Sequence, residues 1–196
     1  MVSVAREERP ADDEYYERER VPLFSQGDLF RDVPLDYPTP PREIVVDEDA
    51  EEHGVRTFLS GPLEFGPALL TTPTCSMHAQ QGEGYAHPVR TLVPVVPLGH
   101  LVEVGVVREE QLAFVRKYDP LINYMYLPPL ELPELEFSMP ESMALLYMPL
   151  TLHHNLIDGN RLSQLAIEGA KQLQRKLIWF ASGWLEARDF FDPPMD

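Results

Sequence analysis

The sequence predicts an α+β domain. A small β-barrel or curled antiparallel sheet with one short helix comes first, and a long amphipathic helix closes the chain. Short apolar runs recur between prolines up to Pro149, and twenty prolines against eleven glycines disfavour long helices there. Between Asn160 and Arg188 there is no proline, and apolar residues recur at helical spacing. The chain has 196 residues, 44% of them apolar, which is enough to bury one core.

The chain divides into a charged arm and one domain. Residues 1–20 are dominated by Glu, Asp and Arg, which predicts a flexible arm. Docking of Tyr15-Tyr16 onto a partner is the alternative for that segment. Residues 21–196 are predicted to form a single α+β domain, with a β-rich barrel over 21–150 and a closing helix over 158–188.

Seven apolar runs predict the strands of the β-rich part. They cover residues 29–33, 43–46, 55–59, 67–72, 90–98, 121–127 and 143–150. Pro94 interrupts the fifth run, which predicts an edge strand or a bulge because proline has no N–H to donate. The acidic stretches 47–53 and 131–140 are predicted to be solvated loops.

Two segments predict helices. Residues 107–117 predict the short helix, because Leu112 and Val115 share one face and the charges run from acidic to basic. Residues 158–188 predict the closing helix, capped by Asp158 or Asn160. Its apolar face must lie on the barrel or on a second copy of the chain. A homodimer through this helix is therefore an alternative to a monomer.

The net charge of −16 restricts the partners. Such a surface repels phosphate backbones, so broad nucleic-acid binding is disfavoured and only a local basic face escapes this argument. A charge of this size predicts solubility, and a basic protein partner is the alternative. The chain has neither a membrane-length apolar run nor an apolar leader, and its lone Cys75 fits a reducing compartment. We expect a cytoplasmic protein that does not enter membranes.

A polar turn holds the first group of candidate site residues. Cysteine becomes a nucleophile when a histidine or a helix N-terminus stabilises its thiolate, and Cys75 lies close to His78, with His87 as a further candidate. A metal site would need these three side chains together with Asp28, and their spacing matches no standard zinc pattern. The alternative is a small buried cysteine ending a strand among turn-forming hydroxyls. We predict neither a metal nor a cofactor.

The closing helix holds the second group. Basic residues outnumber acids there, and Lys171 and Arg175 share one face at i,i+4 spacing near Trp179. These three residues are candidates for contact with a partner. RNA contact with Trp179 stacked on a base is one alternative. A solvated face, with the tryptophan in the core or in a dimer contact, is the other.

The order of motifs resembles that of the MazF/PemK family of small barrel toxins over about residues 24–100. The matching residues are Gly27-Asp28, the Pro67-Ala-Leu-Leu70 run and the valine-rich run 92–98. The resemblance implies an SH3-like barrel that often dimerises. For active members it implies metal-independent RNA cleavage.

Two departures from the family pattern affect the expected activity. Gly66 stands where family ribonucleases usually carry an arginine, and Pro97-Leu98 stand where they carry a threonine. We therefore predict a non-catalytic interaction protein, in a toxin–antitoxin or phage-defence setting that only the resemblance suggests. One alternative is a divergent endoribonuclease that uses Arg90 with His87 or His78 as general base. The other is a thiol or metal site centred on Cys75.

Overall fold

The structure is a computed structural model that describes residues 12, 15–17, 23–35, 43–47, 56–60, 64–77, 87–119, 121 and 123–182. For residues 43–47 and 56–60 it describes the backbone only. The strands are β1 (Asp28–Leu35), β2 (Glu43–Asp47), β3 (Arg56–Ser60), β4 (Glu64–Leu70), β5 (Val89–Pro97), β6 (Tyr124–Leu127), β7 (Leu130–Leu132), β8 (Phe137–Met139), β9 (Ser142–Leu145), β10 (Leu150–His153) and β11 (Arg161–Gln164). The helices are α1 (Thr74–Met77), α2 (Leu98–Glu103), α3 (Leu112–Tyr118) and α4 (Ile167–Ser182).

A curled antiparallel sheet organises the domain. Its seven strands run in the order β11-β1-β4-β5-β9-β6, with β10 also paired to β5. The pairs β2-β3 and β7-β8 form separate antiparallel hairpins. The prediction of an α+β fold with a curled antiparallel sheet is confirmed.

Strand β5 lies at the centre of the sheet rather than at an edge. One side of it pairs with β4, while the other side pairs with β10 over residues 89–92 and with β9 over residues 95–97. Pro94 lies between these two stretches, where the partner on that side changes from β10 to β9. The edge-strand alternative for Pro94 is therefore wrong, and the change of partner explains how a central strand contains a proline.

A bulge in β1 bends the sheet. The register between β1 and β4 shifts between Phe30 and Val33, and Asp32 in this interval has a positive φ of 50°. The Arg31 N–H leaves the ladder and donates to the Asn160 carbonyl at 2.9 Å. Bulges of this kind increase local twist, which favours a curled sheet over a flat one.

Three apolar clusters form the core. The largest fills the space between the sheet, α4 and the β7-β8 hairpin, and includes Leu69, Met125 and Leu173. The second lies beneath α1 around Phe30 and Met77. The third lies between α2, α3 and the β6-β9 pair. Since α1, α4 and the pair of α2 and α3 each cover a different part of the sheet, the helices bury much of what an open sheet would expose.

The C-terminal part differs from the predicted closing helix over 158–188. Residues 161–164 form β11, and the helix begins at Ile167; residues 183–188 lie outside the described part. The sequence does not separate β11 from α4, because Leu162 and Leu165 fit a helical spacing with the later apolar residues.

Three other predicted elements also differ from the structure. The predicted loop 131–140 contains the hairpin β7-β8, and the predicted strand 143–150 is divided between β9 and β10. The predicted short helix is a 3₁₀ turn at Glu109–Gln111 followed by α3.

Residues 15–17 belong to the folded domain rather than to a flexible arm. Tyr15 is 0% exposed and packs in the largest cluster. Tyr16 forms an antiparallel bridge with Leu165, and the Glu17 N–H donates to the Gln164 carbonyl at 2.8 Å. The predicted boundary at residue 20 is therefore wrong for these three residues, which extend the sheet beyond β11.

The same residues also reach the opposite edge of the sheet. The Tyr15 hydroxyl donates to the Tyr126 carbonyl at 2.8 Å, and the Tyr16 hydroxyl donates to the Pro128 carbonyl at 2.9 Å. Residues 15–17 thus contact β11 through backbone and β6 through side chains. We call the gap between the β11 and β6 edges, which residues 15–17 fill, the seam.

The Tyr15 hydroxyl generates the first prediction. Replacing Tyr15 by Phe removes the donor to Tyr126 and keeps the buried ring, so we expect the free energy of unfolding to fall by about 1–2 kcal/mol. Urea titration measures this change. The control is Tyr118→Phe, which removes a hydroxyl from a half-buried ring on α3. Equal effects of the two substitutions would contradict the role assigned to Tyr15.

Candidate functional site

The candidate residues around Cys75 lie at one end of the sheet, where β4 ends and β5 begins. Leu70 pairs with Leu92, and the N–H groups of Thr71 and Thr72 both donate to the Thr91 carbonyl, at 2.9 and 3.2 Å. The register therefore brings residues 71–77 and residues 87–91 to the same place. We call these two segments the corner.

The threonine hydroxyls of the corner are engaged in holding its backbone. Thr71 Oγ1 donates to the Thr91 carbonyl at 3.1 Å, and Thr72 Oγ1 accepts from the Thr91 N–H at 2.6 Å. Thr74 Oγ1 accepts from the Gln26 N–H at 3.0 Å. Local bonds of this type fix turns, so we assign these hydroxyls a structural role.

The side chains of Cys75 and Met77 lie on different sides of the short helix α1. Met77 is buried in the second cluster, whereas Cys75 is exposed. The alternative of a buried cysteine ending a strand is therefore wrong, because the residue that faces the core is Met77. His78, the proposed activator of Cys75, lies outside the described residues.

Arg90, which the endoribonuclease alternative requires, is 1% exposed. Its Nη1 donates to the carbonyls of His87 and Val89, the latter at 2.8 Å. His87 is exposed, so the corner separates the two members of the ribonuclease alternative, one inside and one outside. In this position the guanidinium holds the start of β5.

Two histidines that the sequence places beside a strand end also reach the corner. His153 lies opposite Val89, and the His154 N–H donates to the Pro88 carbonyl at 2.8 Å. Their ring centroids are stacked 4.7 Å apart, although adjacent side chains on a continuous strand would point to opposite faces. The difference arises because β10 ends at His153 and a 3₁₀ turn begins at His154.

Asp28, the fourth side chain of the metal alternative, is occupied by an ion pair. It is fully buried, with Oδ1 at 2.8 Å from Arg161 Nη2 and Oδ2 accepting from the Ser25 N–H at 2.8 Å. Burial raises the pKa of Asp28 to about 6, although Arg161 opposes the change. In the part of the chain that the structure describes, no group of three or more His, Cys, Asp or Glu could hold a metal ion.

A second buried ion pair joins α4 to the loop before β6. Lys176 Nζ lies 3.1 Å from Asp119 Oδ1 and donates to the carbonyls of Asp119, Leu121 and Tyr124, at 2.9, 2.6 and 2.6 Å. Gln172 Nε2 donates to Asp119 Oδ2 at 2.6 Å. The sequence does not distinguish Lys176 from the other basic residues of the predicted closing helix. The available signal was its position three residues after Leu173, a spacing that places both side chains on the apolar face of the helix.

The candidates for partner contact lie on the opposite side of α4. Lys171, Arg175 and Trp179 are all exposed, and Lys171 Nζ pairs with Glu168 Oε1 at 2.6 Å. Ile167 and Ile178 are exposed on the same side, at 67% and 63%. We call these five residues the outward face of α4. It is less basic than the sequence suggests, because Arg161 and Lys176 turn inward to Asp28 and Asp119.

Gly66 and Leu98 mark the two places where the sequence departs from the MazF/PemK-like pattern. Gly66 lies opposite Val33, and a Cβ there would come within 2.8 Å of Leu35 Cδ1. An arginine at this position would require Leu35 to move. Leu98 is buried and begins α2, so it faces the core instead of a ligand.

No family model matches the chain, and neither a curated protein nor a solved structure is similar to it. The MazF/PemK-like resemblance stays a prediction from the motifs. Of the helices that the structure describes, none has the length and apolarity to cross a lipid bilayer.

Asp119 generates a prediction of pH dependence. Burial raises its pKa from 3.8 to about 6, although Lys176 opposes the change. A carboxyl whose pKa is raised by folding contributes stability below its unfolded pKa, and loses that contribution as the pH rises through the folded pKa. The unfolding free energy of the wild type minus that of Asp119→Asn should therefore fall between pH 4 and 7, by on the order of 1 kcal/mol per pH unit.

Denaturant titrations of both chains across this range measure the difference. Asparagine suits the position because it tolerates the positive φ of 44° at residue 119. The control is Glu110→Gln, which removes one exposed carboxylate. If the difference between the wild type and Asp119→Asn rose with pH, the pKa assignment would be wrong.

Proposed function

We propose that this protein is a non-catalytic interaction protein that presents the outward face of α4 to a protein partner. The observation that carries the proposal is the exposure of Ile167, Ile178 and Trp179, at 67%, 63% and 44%. Large apolar side chains grouped on one helix face are typical of a docking surface. The scaffold would be of the SH3-like, MazF/PemK-related type, and the toxin–antitoxin or phage-defence setting rests on that resemblance.

The chemistry of the outward face indicates what kind of partner fits it. Ile167 lies near one end and Ile178 and Trp179 near the other, with Lys171 and Arg175 between them. A complementary segment has apolar residues at its ends and acidic residues in its middle. Two copies of α4 packed face to face would bring Lys171 and Arg175 of each copy close together. Because like charges in an interface are unfavourable, we propose a different protein as the occupant rather than a second copy.

The two alternatives from the sequence have less support. An endoribonuclease would need Arg90 beside its substrate, and Arg90 is buried with its Nη1 on backbone carbonyls. A thiol or metal site would need partners for Cys75, whereas Asp28 is paired with Arg161. Both alternatives would require the corner to rearrange.

Substitutions on the outward face test the proposal. The wild-type protein is used to capture binding proteins from a lysate of the native cells. Each captured protein is purified, and the dissociation constant of its complex with the wild type is measured. For the true partner, we expect Ile178→Asp to raise the dissociation constant of the complex by at least about tenfold, because the substitution places a charge in an apolar contact. Arg175→Glu should also weaken the complex. Phe65→Ser is the matched control, since Phe65 is 64% exposed on β4.

Three results would contradict the proposal. The first is a purified partner whose affinity is unaffected by Ile178→Asp and Arg175→Glu. The second is a self-association of the chain that Ile178→Asp abolishes. The third is RNA cleavage by the purified protein that is lost in His87→Ala while the fold is retained. His87 is exposed, so its substitution leaves the core intact, and such a loss would favour the endoribonuclease.

A further inference from the structure

Strand β10 gives the branched sheet a third edge, and this edge is open. The other two edges are covered, since residues 15–17 pair with β11, and Lys176, Asp119 and Tyr15 bind the outer side of β6. Strand β10 pairs with β5 on one side, and none of the described strands pairs with its other side. An edge of this kind presents backbone groups that another strand can bind.

The register of β5 shows which of its residues bind β10. The Thr91 carbonyl accepts from the N–H groups of Thr71 and Thr72, at 2.9 and 3.2 Å. Thr91 therefore directs its backbone groups toward β4. Because these directions alternate along a strand, the neighbouring residues Arg90 and Leu92 direct theirs toward β10.

Alternate residues of β10 consequently face the open edge. Leu150 and Leu152 lie opposite the two residues of β5 that face β10, so they form the hydrogen bonds of this pair. The N–H and C=O of Thr151 and the N–H of His153 point the other way. In the described part of the chain no group bonds to these three, and both residues are exposed. Two donors and one acceptor thus lie in a row at the two-residue spacing of a β-ladder.

The side chains of β10 leave this edge accessible. The strand contains no lysine, arginine, acidic residue or internal proline, which are residues that commonly block open edges. Leu150 and Leu152 are half-buried against the second cluster, and Thr151 and His153 lie on the other face. Leu156, which follows the strand, is 56% exposed. An added strand with alternating apolar and polar residues would continue both faces of the sheet.

We propose that β10 accepts an added β-strand, and that this strand is an extended basic segment of another protein. The backbone of the segment pairs with Thr151 and His153 and extends the sheet beyond β10. The net charge of −16 attracts a basic segment, and it repels an acidic segment or a second copy of this chain. The open edge and the outward face of α4 are separate surfaces, since β10 packs on the second cluster and α4 on the largest. Binding at the edge should therefore persist in Ile178→Asp.

A synthetic peptide tests the proposal. The probe is the end-blocked peptide Lys-Val-Thr-Val-Thr-Val-Lys, and calorimetry measures its dissociation constant. The control peptide has N-methyl groups on both threonines, whose N–H groups would face β10, so it keeps the side chains and loses the backbone donors. We expect the N-methylated peptide to bind at least about tenfold more weakly, because it cannot form the ladder.

A matched pair of substitutions tests the same edge from the protein side. Thr151→Pro removes the outward N–H, which takes no part in the pairing with β5, so an edge strand tolerates it. Thr151→Ala removes the side chain and keeps the N–H. We expect Thr151→Pro to raise the dissociation constant of the probe by at least about tenfold, and Thr151→Ala to change it by less than about threefold.

Hydrogen exchange locates the bound probe on the wild type. In the free protein the amides of Thr151 and His153 should exchange fast, while those of Leu150 and Leu152 are protected by β5. The probe should slow the exchange of the first two amides by at least about tenfold, and the N-methylated peptide should not.

Several results would overturn the proposal. They include no binding of the probe at about 1 mM, equal binding of the N-methylated peptide, and a dissociation constant that Thr151→Pro leaves unchanged. Equal binding of a peptide with glutamate in place of both lysines would show that the segment need not be basic. A dimer of the wild type that Thr151→Pro abolishes would identify a second copy as the occupant.

Discussion

The polar backbone of β6 is the constraint on which this fold depends. Strand β6 ends the sheet, and the groups on its outer side must find partners when the edge is covered. They find them in side chains instead of another strand. Lys176 donates to the Tyr124 carbonyl, the Asp119 carboxylate accepts from the Tyr126 backbone, and Tyr15 donates to the Tyr126 carbonyl. Side chains take the place of a neighbouring strand along the outer side of β6, so the curled sheet ends there.

The same constraint explains why an ion pair lies inside the protein. Burying Lys176 and Asp119 is costly unless both are paired and hydrogen-bonded. Lys176 meets that requirement with a carboxylate and three carbonyls, and Asp119 with Lys176, Gln172 and the Tyr126 backbone. These bonds determine which side of α4 faces inward. The opposite side, with Lys171, Ile178 and Trp179, is thereby directed to solvent.

The sequence predicts the parts of the fold that depend on local pattern. The apolar runs at 67–72 and 90–98 correspond to β4 and β5, because a buried strand requires such runs. The seam could not be predicted in this way, since Tyr15 meets a carbonyl 111 residues away and Lys176 meets one 52 residues away. Charge density in residues 1–20 predicts disorder. Residues 15–17 depart from that prediction, because two adjacent tyrosines fill a place that the rest of the chain creates.

Native-state hydrogen exchange tests the closure of the seam most directly. The amides of Glu17 and Ala166 join residues 15–17 to β11, and the Tyr126 amide is held by Asp119. If the seam is closed, these three amides should exchange as slowly as that of Val93 in the centre of the sheet, because they open only when the domain unfolds. Exchange of the Glu17 and Ala166 amides at the rate of an unstructured peptide, with Val93 still protected, would contradict this account.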